Sequence, residues 1–85
     1  MHVSEYITVH PEICHGKPCF KGTRIMVYLV LEMLESGATI AEIQDAYPGL
    51  TSAHVKASLE FAARAVETGR YDAALMTSPA HALPA

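Results

Sequence analysis

Between Val27 and Thr68 the chain is cut twice by residues that a helix interior does not accept. Gly37 follows an apolar run and is a natural helix stop. Tyr47-Pro48-Gly49 is the second break, because the residue before a proline is pushed out of the helical region. After the first break, Thr39-Ile40-Ala41-Glu42 has the form of a capping box, with a hydroxyl at the cap and a carboxylate three residues on. After the second, Thr51 or Ser52 is placed to cap another helix. The breaks therefore divide the segment into three helices, at about 26–36, 40–47 and 52–68. The first, with Val27, Leu29, Val30, Leu31, Met33 and Leu34, is apolar enough to be expected at the centre, covered on most sides. The second turns Ile40 and Ile43 inward, with Ala46 and Tyr47 beside them. The third carries an apolar stripe of Val55, Leu59, Ala62 and Val66. Lys56, Glu60 and Arg64 run beside it at four-residue spacing, where two ion pairs are expected.

In front of the helices, Ser4–His10 contains Tyr6, Ile7, Thr8 and Val9, residue types that suit a strand and stop at Pro11. The segment Cys19–Ile25 reads as a second short strand turning at Lys21-Gly22, with Gly22 where positive φ or close approach is needed. The expected fold is mainly α. It is a small three-helix helix-turn-helix (homeodomain-like) domain with a short N-terminal β-hairpin or strand pair. It occupies residues 1–70, with the β element at 4–25 and a partly flexible tail at 71–85.

A chain of 85 residues buries only about 60–65% of its unfolded surface, so sharing apolar surface in a homodimer would relieve a tight stability balance. With 51% apolar residues it is too hydrophobic to be disordered. It holds no run of about 20 apolar residues, and "MHVSEYITVH" lacks the basic and apolar segments of a signal peptide. The expectation is a cytoplasmic protein with Cys14 and Cys19 as reduced thiols.

The formal net charge is −3, yet Lys17, Lys21 and Arg24 fall within eight residues of one another with no acid between them. Such sorting offers a local basic patch on an acidic molecule. Gly16 and Gly22 open the backbone there, so these cations are candidates for contacting a phosphate backbone. A solvated or structural role competes with that reading. Arg24 could pair internally with Glu32 or Glu35, and Gly22, Thr23 and Arg24 suit a compact turn entering a buried helix.

Ile43 and Val55, joined through Tyr47–Thr51, would pin a helix-turn-helix whose second helix begins with Thr51, Ser52, His54 and Lys56. These four can reach phosphates or base edges, although Glu60 and Glu67 oppose the cations further along; the competing reading is a helical hairpin used only for packing. His10, Cys14, His15 and Cys19 lie within ten residues, but their spacing is not that of paired zinc knuckles. The cysteines read more simply as small buried groups, and no metal or other cofactor is expected. His2, His54 and His81 have no visible partner and read as surface residues. No nucleophile elbow, phosphate loop or HExxH occurs, and Asp45 and Asp72 are the only aspartates, so no enzyme is expected.

The combination Gly16-Lys17-Pro18, Gly22-Thr23-Arg24-Ile25 with Val27, Leu34 with Gly37, Ile43 to Tyr47-Pro48, Leu50-Thr51, Val55 and Phe61-Ala62 resembles domain-of-unknown-function family 433, over about residues 7–66. That resemblance implies a helical domain of helix-turn-helix type with a short β element at the front. It also implies a VapB-type antitoxin of a type II toxin–antitoxin system, which silences a PIN-like nuclease toxin and binds operator DNA as a homodimer. Three positions depart from the pattern. Met26 stands where proline is frequent, Cys19 where a branched apolar residue is common, and His54 where an acid or amide is usual. The last change is expected to remove a capping-box partner from the third helix. The expected DNA-contacting residues are Lys17, Lys21, Arg24, Thr51, Ser52, His54 and Lys56, and the toxin would be held through Tyr71, Leu75 and Met76. The competing function is a non-enzymatic protein-interaction adaptor that uses the helix pair for packing and does not bind DNA.

Overall fold

A computed structural model describes residues 5–68. Two short strands, β1 (Ile7–Thr8) and β2 (Cys19–Phe20), precede three helices, α1 (Val27–Glu35), α2 (Ile40–Ala46) and α3 (Ser52–Glu67). The fold is thus a mainly helical small domain with an antiparallel strand pair at its N-terminus, as expected. The register pairs Ile7 with Phe20 and Thr8 with Cys19. Both strands are shorter than the sequence pattern suggests. Pro11 and the turn at Cys14–Gly16 draw the chain away on one side, and Gly22, at φ +79°, reverses it on the other.

That reversal is tight. The Thr23 hydroxyl donates to the Phe20 carbonyl at 2.8 Å and accepts from the Ile25 amide at 3.0 Å. The returning chain pairs again with β2, Phe20 N donating to Ile25 O at 2.9 Å and Met26 bridging Cys19. Met26 keeps an extended backbone and is itself the residue before α1, so the hairpin runs directly into the helix. Gly22 and Thr23 are therefore structural, as the compact-turn reading has it. Arg24 is exposed, and the sole ion pair among the described residues is Arg64–Glu67; the expected link to Glu32 or Glu35 is not formed.

Ile7, Phe20, Val27, Val30, Ile43, Leu50, Val55 and Ala57 make one core, at 6% exposure or less. Gly37 ends α1 at φ +92°, with its amide bonded to Leu34 O and that of Ala38 to Met33 O. Thr39 and Glu42 form the expected capping box, each side chain accepting from the other residue's amide, at 3.1 and 2.8 Å.

In α1 the expected covering on most sides holds: Val27 and Val30 are buried, Leu29, Leu31, Met33 and Leu34 are half-buried, and Tyr28, Glu32 and Glu35 make the exposed side. In the other two helices the expected faces need correction. In α2, Ile43 is buried and Tyr47 half-buried, whereas Ile40 and Ala46 are exposed. Seven residues make two turns, and only the middle of such a helix meets the core. In α3 the buried face is Val55, Ala57 and Ser58, with Phe61 half-buried, while Leu59 and Val66 stand outside at 52% and 66%. Small side chains at positions 57 and 58 let α3 lie close to the core, and the Ser58 hydroxyl donates to His54 O at 3.0 Å, so its burial leaves no polar group unsatisfied. The expected Lys56–Glu60 and Glu60–Arg64 pairs are replaced by Arg64–Glu67 at 3.0 Å.

Candidate nucleic-acid interface

The start of α3 is fastened to the strand pair by one residue. His54 is half-buried, and its ring meets Tyr6 edge-on at 4.9 Å between centroids and Phe20 at 5.5 Å. The same ring reaches back to the helix cap. Nδ1 accepts from the Thr51 amide at 3.1 Å and lies 2.9 Å from the Thr51 hydroxyl. Both expectations for His54 are therefore overturned. It is not a partnerless surface histidine, and it does not deprive α3 of a capping box. A neutral imidazole offers an acceptor nitrogen where a carboxylate or amide would offer oxygen. Its aromatic edge does what those groups cannot, packing against two rings.

The consequence is geometric. Phe20 ends β2, so the ring contact holds the residue just before the basic turn against the first turn of α3. Thr51, Ser52 and Lys56 are exposed there. Lys21 is also exposed, and its backbone amide donates to Tyr6 O at 2.9 Å. Lys17 is drawn elsewhere. Its ammonium lies 5.4 Å from the centre of the Tyr28 ring, at the start of α1, a cation–π contact that a simply solvated lysine would lack. The seven expected DNA-contacting residues thus divide. Thr51, Ser52 and Lys56 are exposed at the start of α3, Lys21 is exposed on the segment that follows Phe20, and His54 is committed to packing and capping. Arg24 lies past the turn, lining two open hollows. Tyr71, Leu75 and Met76 lie outside the described residues.

The first hollow, about 420 Å³, is lined by Pro11, Glu12, Cys14, His15, Arg24 and Met26. The turn that supplies Cys14 and His15 to this lining is unusual. Cys14, His15 and Gly16 all have positive φ, at 52°, 57° and 80°. For the two non-glycine residues this left-handed backbone costs about 1–2 kcal/mol each. The turn is held by Gly16 N to Ile13 O and Lys17 N to Cys14 O, both 3.0 Å, and by the Cys14 thiol donating to Arg24 O at 3.4 Å. Cys19 is fully buried, and its thiol is pushed above its ordinary pKa, first by desolvation and then by the hydrogen bond and charge of Cys14, with Arg24 pulling the other way. Both cysteines are free thiols, and their burial agrees with the small-apolar-group reading. Among the described residues no three of His, Cys, Asp and Glu come together as a metal site would require.

Among solved structures, the chain is similar to a DUF433 member protein from Anabaena variabilis, with a TM-score of 0.69 and 27% identity over 78% of this chain. The match spans 65% of that protein's length. No curated protein matches. Residues 7–62, about two thirds of the sequence, match the family described as protein of unknown function (DUF433). The chain therefore belongs to the DUF433 family.

Proposed function

We propose that this protein is the antitoxin of a type II toxin–antitoxin pair, a cytoplasmic, non-enzymatic homodimer that binds operator DNA and neutralises a PIN-like nuclease. One observation carries the DNA half of the reading. The His54 contacts hold Phe20, the residue before Lys21, against the capped start of α3, and exposed Lys21, Thr51, Ser52 and Lys56 offer cations and hydroxyls from these two segments. A helix start with hydroxyls and flanking cations suits phosphate oxygens. Lys17 and Arg24 contribute from the flanks. The nuclease would be held by the C-terminal portion that includes Tyr71, Leu75 and Met76.

The competing adaptor reading draws on α3 itself, where Glu60 and Glu67 stand exposed among Lys56 and Arg64 and oppose a polyanion. A fluorescence-anisotropy titration with the DNA upstream of the gene, at two salt concentrations, separates the two. The repressor reading expects nanomolar to low-micromolar affinity that weakens with salt. Replacing Lys21 and Lys56 together by alanine should reduce the salt slope by about two counterions. Absence of binding at low salt leaves the adaptor. Co-purification with the product of the adjacent gene, and loss of that protein's ribonuclease activity on mixing, tests the other half.

A further inference from the structure

The outer face of α3 carries a pattern that the DNA reading does not use. Leu59, Ala63 and Val66, spaced by four and three residues, form one exposed apolar strip, with Leu59 at 52% and Val66 at 66% exposure. Beside it on one flank only runs a row of charges, Lys56, Glu60, Arg64 and Glu67, which alternates plus, minus, plus, minus from the start of the helix to its end. The opposite flank of the strip is Val55 and Ala62, which turn toward the core.

We propose that this strip is the homodimer interface, with α3 packing antiparallel against α3 of a second copy of this chain about a two-fold axis beside Ala62 and Ala63. This rests on the dimeric part of the reading above and on neither its DNA nor its nuclease part. In an antiparallel pair related by a two-fold axis, the same flank of each helix faces the other. The charge row then meets itself reversed. Lys56 comes opposite the partner's Glu67 and Glu60 opposite the partner's Arg64, and symmetry repeats each pair. Every facing pair is of opposite sign. A parallel pairing would instead set each charge row against the Val55 and Ala62 flank of the other helix, leaving it without counter-charges, so the row selects the orientation as well as the partner. In the apolar strip Leu59 meets the partner's Val66, and the alanines at the centre let the two backbones approach. Within one chain, Arg64 and Glu67 bond each other with two thirds of each side chain in solvent, while Lys56 and Glu60 have no ion-pair partner among the described residues. The contact of two helices of this length is small, so a dimer in the micromolar range is expected.

Sedimentation velocity of the full chain, from low micromolar to submillimolar concentration, gives the test. Lys56→Glu with Arg64→Glu makes the row wholly acidic, and Glu60→Lys with Glu67→Lys makes it wholly basic. Each variant alone should self-associate on the order of tenfold more weakly or worse, from repulsion across four facing pairs. An equimolar mixture of the two should restore a dimer at least as tight as the original. Ala63→Cys, a single change beside the proposed axis, should oxidise to a covalent dimer under native conditions. A dimer that neither charge swap weakens, that mixing does not restore and that Ala63→Cys does not trap would place the interface elsewhere, leaving a dimeric DNA-binding protein intact. A chain that stays monomeric throughout would overturn both the interface and the dimer, leaving the strip to residues 69–85 or to another protein. Absence of DNA binding by the original chain, with the charge-swap results as expected, would sink only the functional reading.

Discussion

The two halves of α3 are built on opposite plans. From Thr51 to Ser58 the helix is fastened. Its cap is closed by His54, whose ring also touches Tyr6 and Phe20, and Val55, Ala57 and Ser58 are buried. From Leu59 onward it is presented. Phe61 and Ala62 still lean on the core, but Leu59 and Val66 face outward, and the ion pair Arg64–Glu67 lies two thirds in solvent. One continuous helix thus joins a part whose side chains hold the fold to a part whose side chains are available for something else. Burial, rather than hydrophobicity, tells them apart, since Leu59 is more apolar than the fully buried Ser58.

The sharpest way to break this comparison is to shorten a side chain on each side of it. Phe20→Ala removes the ring beneath His54 and should cost about 3–5 kcal/mol in urea unfolding, enough to threaten a small domain. Leu59→Ala, measured at low protein concentration, should cost under about 0.5 kcal/mol, the range of surface changes. Comparable losses at the two positions would erase the distinction.

A smaller effect separates the two jobs of His54. His54→Ala loses both cap and ring contacts and should destabilise by about 1–2 kcal/mol. His54→Glu keeps a capping acceptor but not the ring, and should recover only part of that loss. Full recovery in the same unfolding assay would mean that the aromatic contacts add nothing.

Alkaline pH gives a further contrast, on the strand side. Cys19 is an acid whose folded pKa is raised, chiefly by burial, so the folded state holds its proton more tightly than the unfolded state. Its contribution is complete below the ordinary value of 9.0 and is lost as pH climbs from there toward the raised folded value. Stability should therefore fall more steeply above that pH in the original chain than in Cys19→Val, with both followed by denaturant midpoint. Parallel slopes would contradict the burial argument. The smallest change expected is His15→Gly, which relieves left-handed backbone at an exposed site and should stabilise by about 0.5 kcal/mol after the added freedom of the unfolded chain is subtracted.

Much of the fold was legible because its signals are local. The capping box at Thr39 and Glu42, the stop at Gly37, the break at Pro48-Gly49 and the positive φ of Gly22 each follow from the chemistry of one or a few adjacent residues. Faces were less legible. Leu59 and Val66 satisfy the helical period as well as Val55 does, and only the position of α1 decides which part of the circumference is buried. Ser58, a polar residue outside the expected apolar stripe, is buried because its hydroxyl returns to a carbonyl of its own helix. The site showed the same division. Lys21 and Lys56 were visible as exposed cations, but a ring contact between residues 34 apart in sequence, Phe20 and His54, set their segments side by side. A histidine at the third position of a helix was itself a clue, since its Nδ1 can stand where a capping acid's oxygen would.

The division of α3 is tested most directly by the unfolding midpoint of Leu59→Ala/Val66→Ala as a function of protein concentration. In the original chain the midpoint should rise with concentration, as dimerisation stabilises the folded state by mass action. In the double variant it should stay flat and coincide with the low-concentration limit of the original, because those side chains serve an outer contact. A variant less stable than the original by 2 kcal/mol or more at every concentration, an effect on the order of a core deletion, would place both side chains inside the fold and contradict the account.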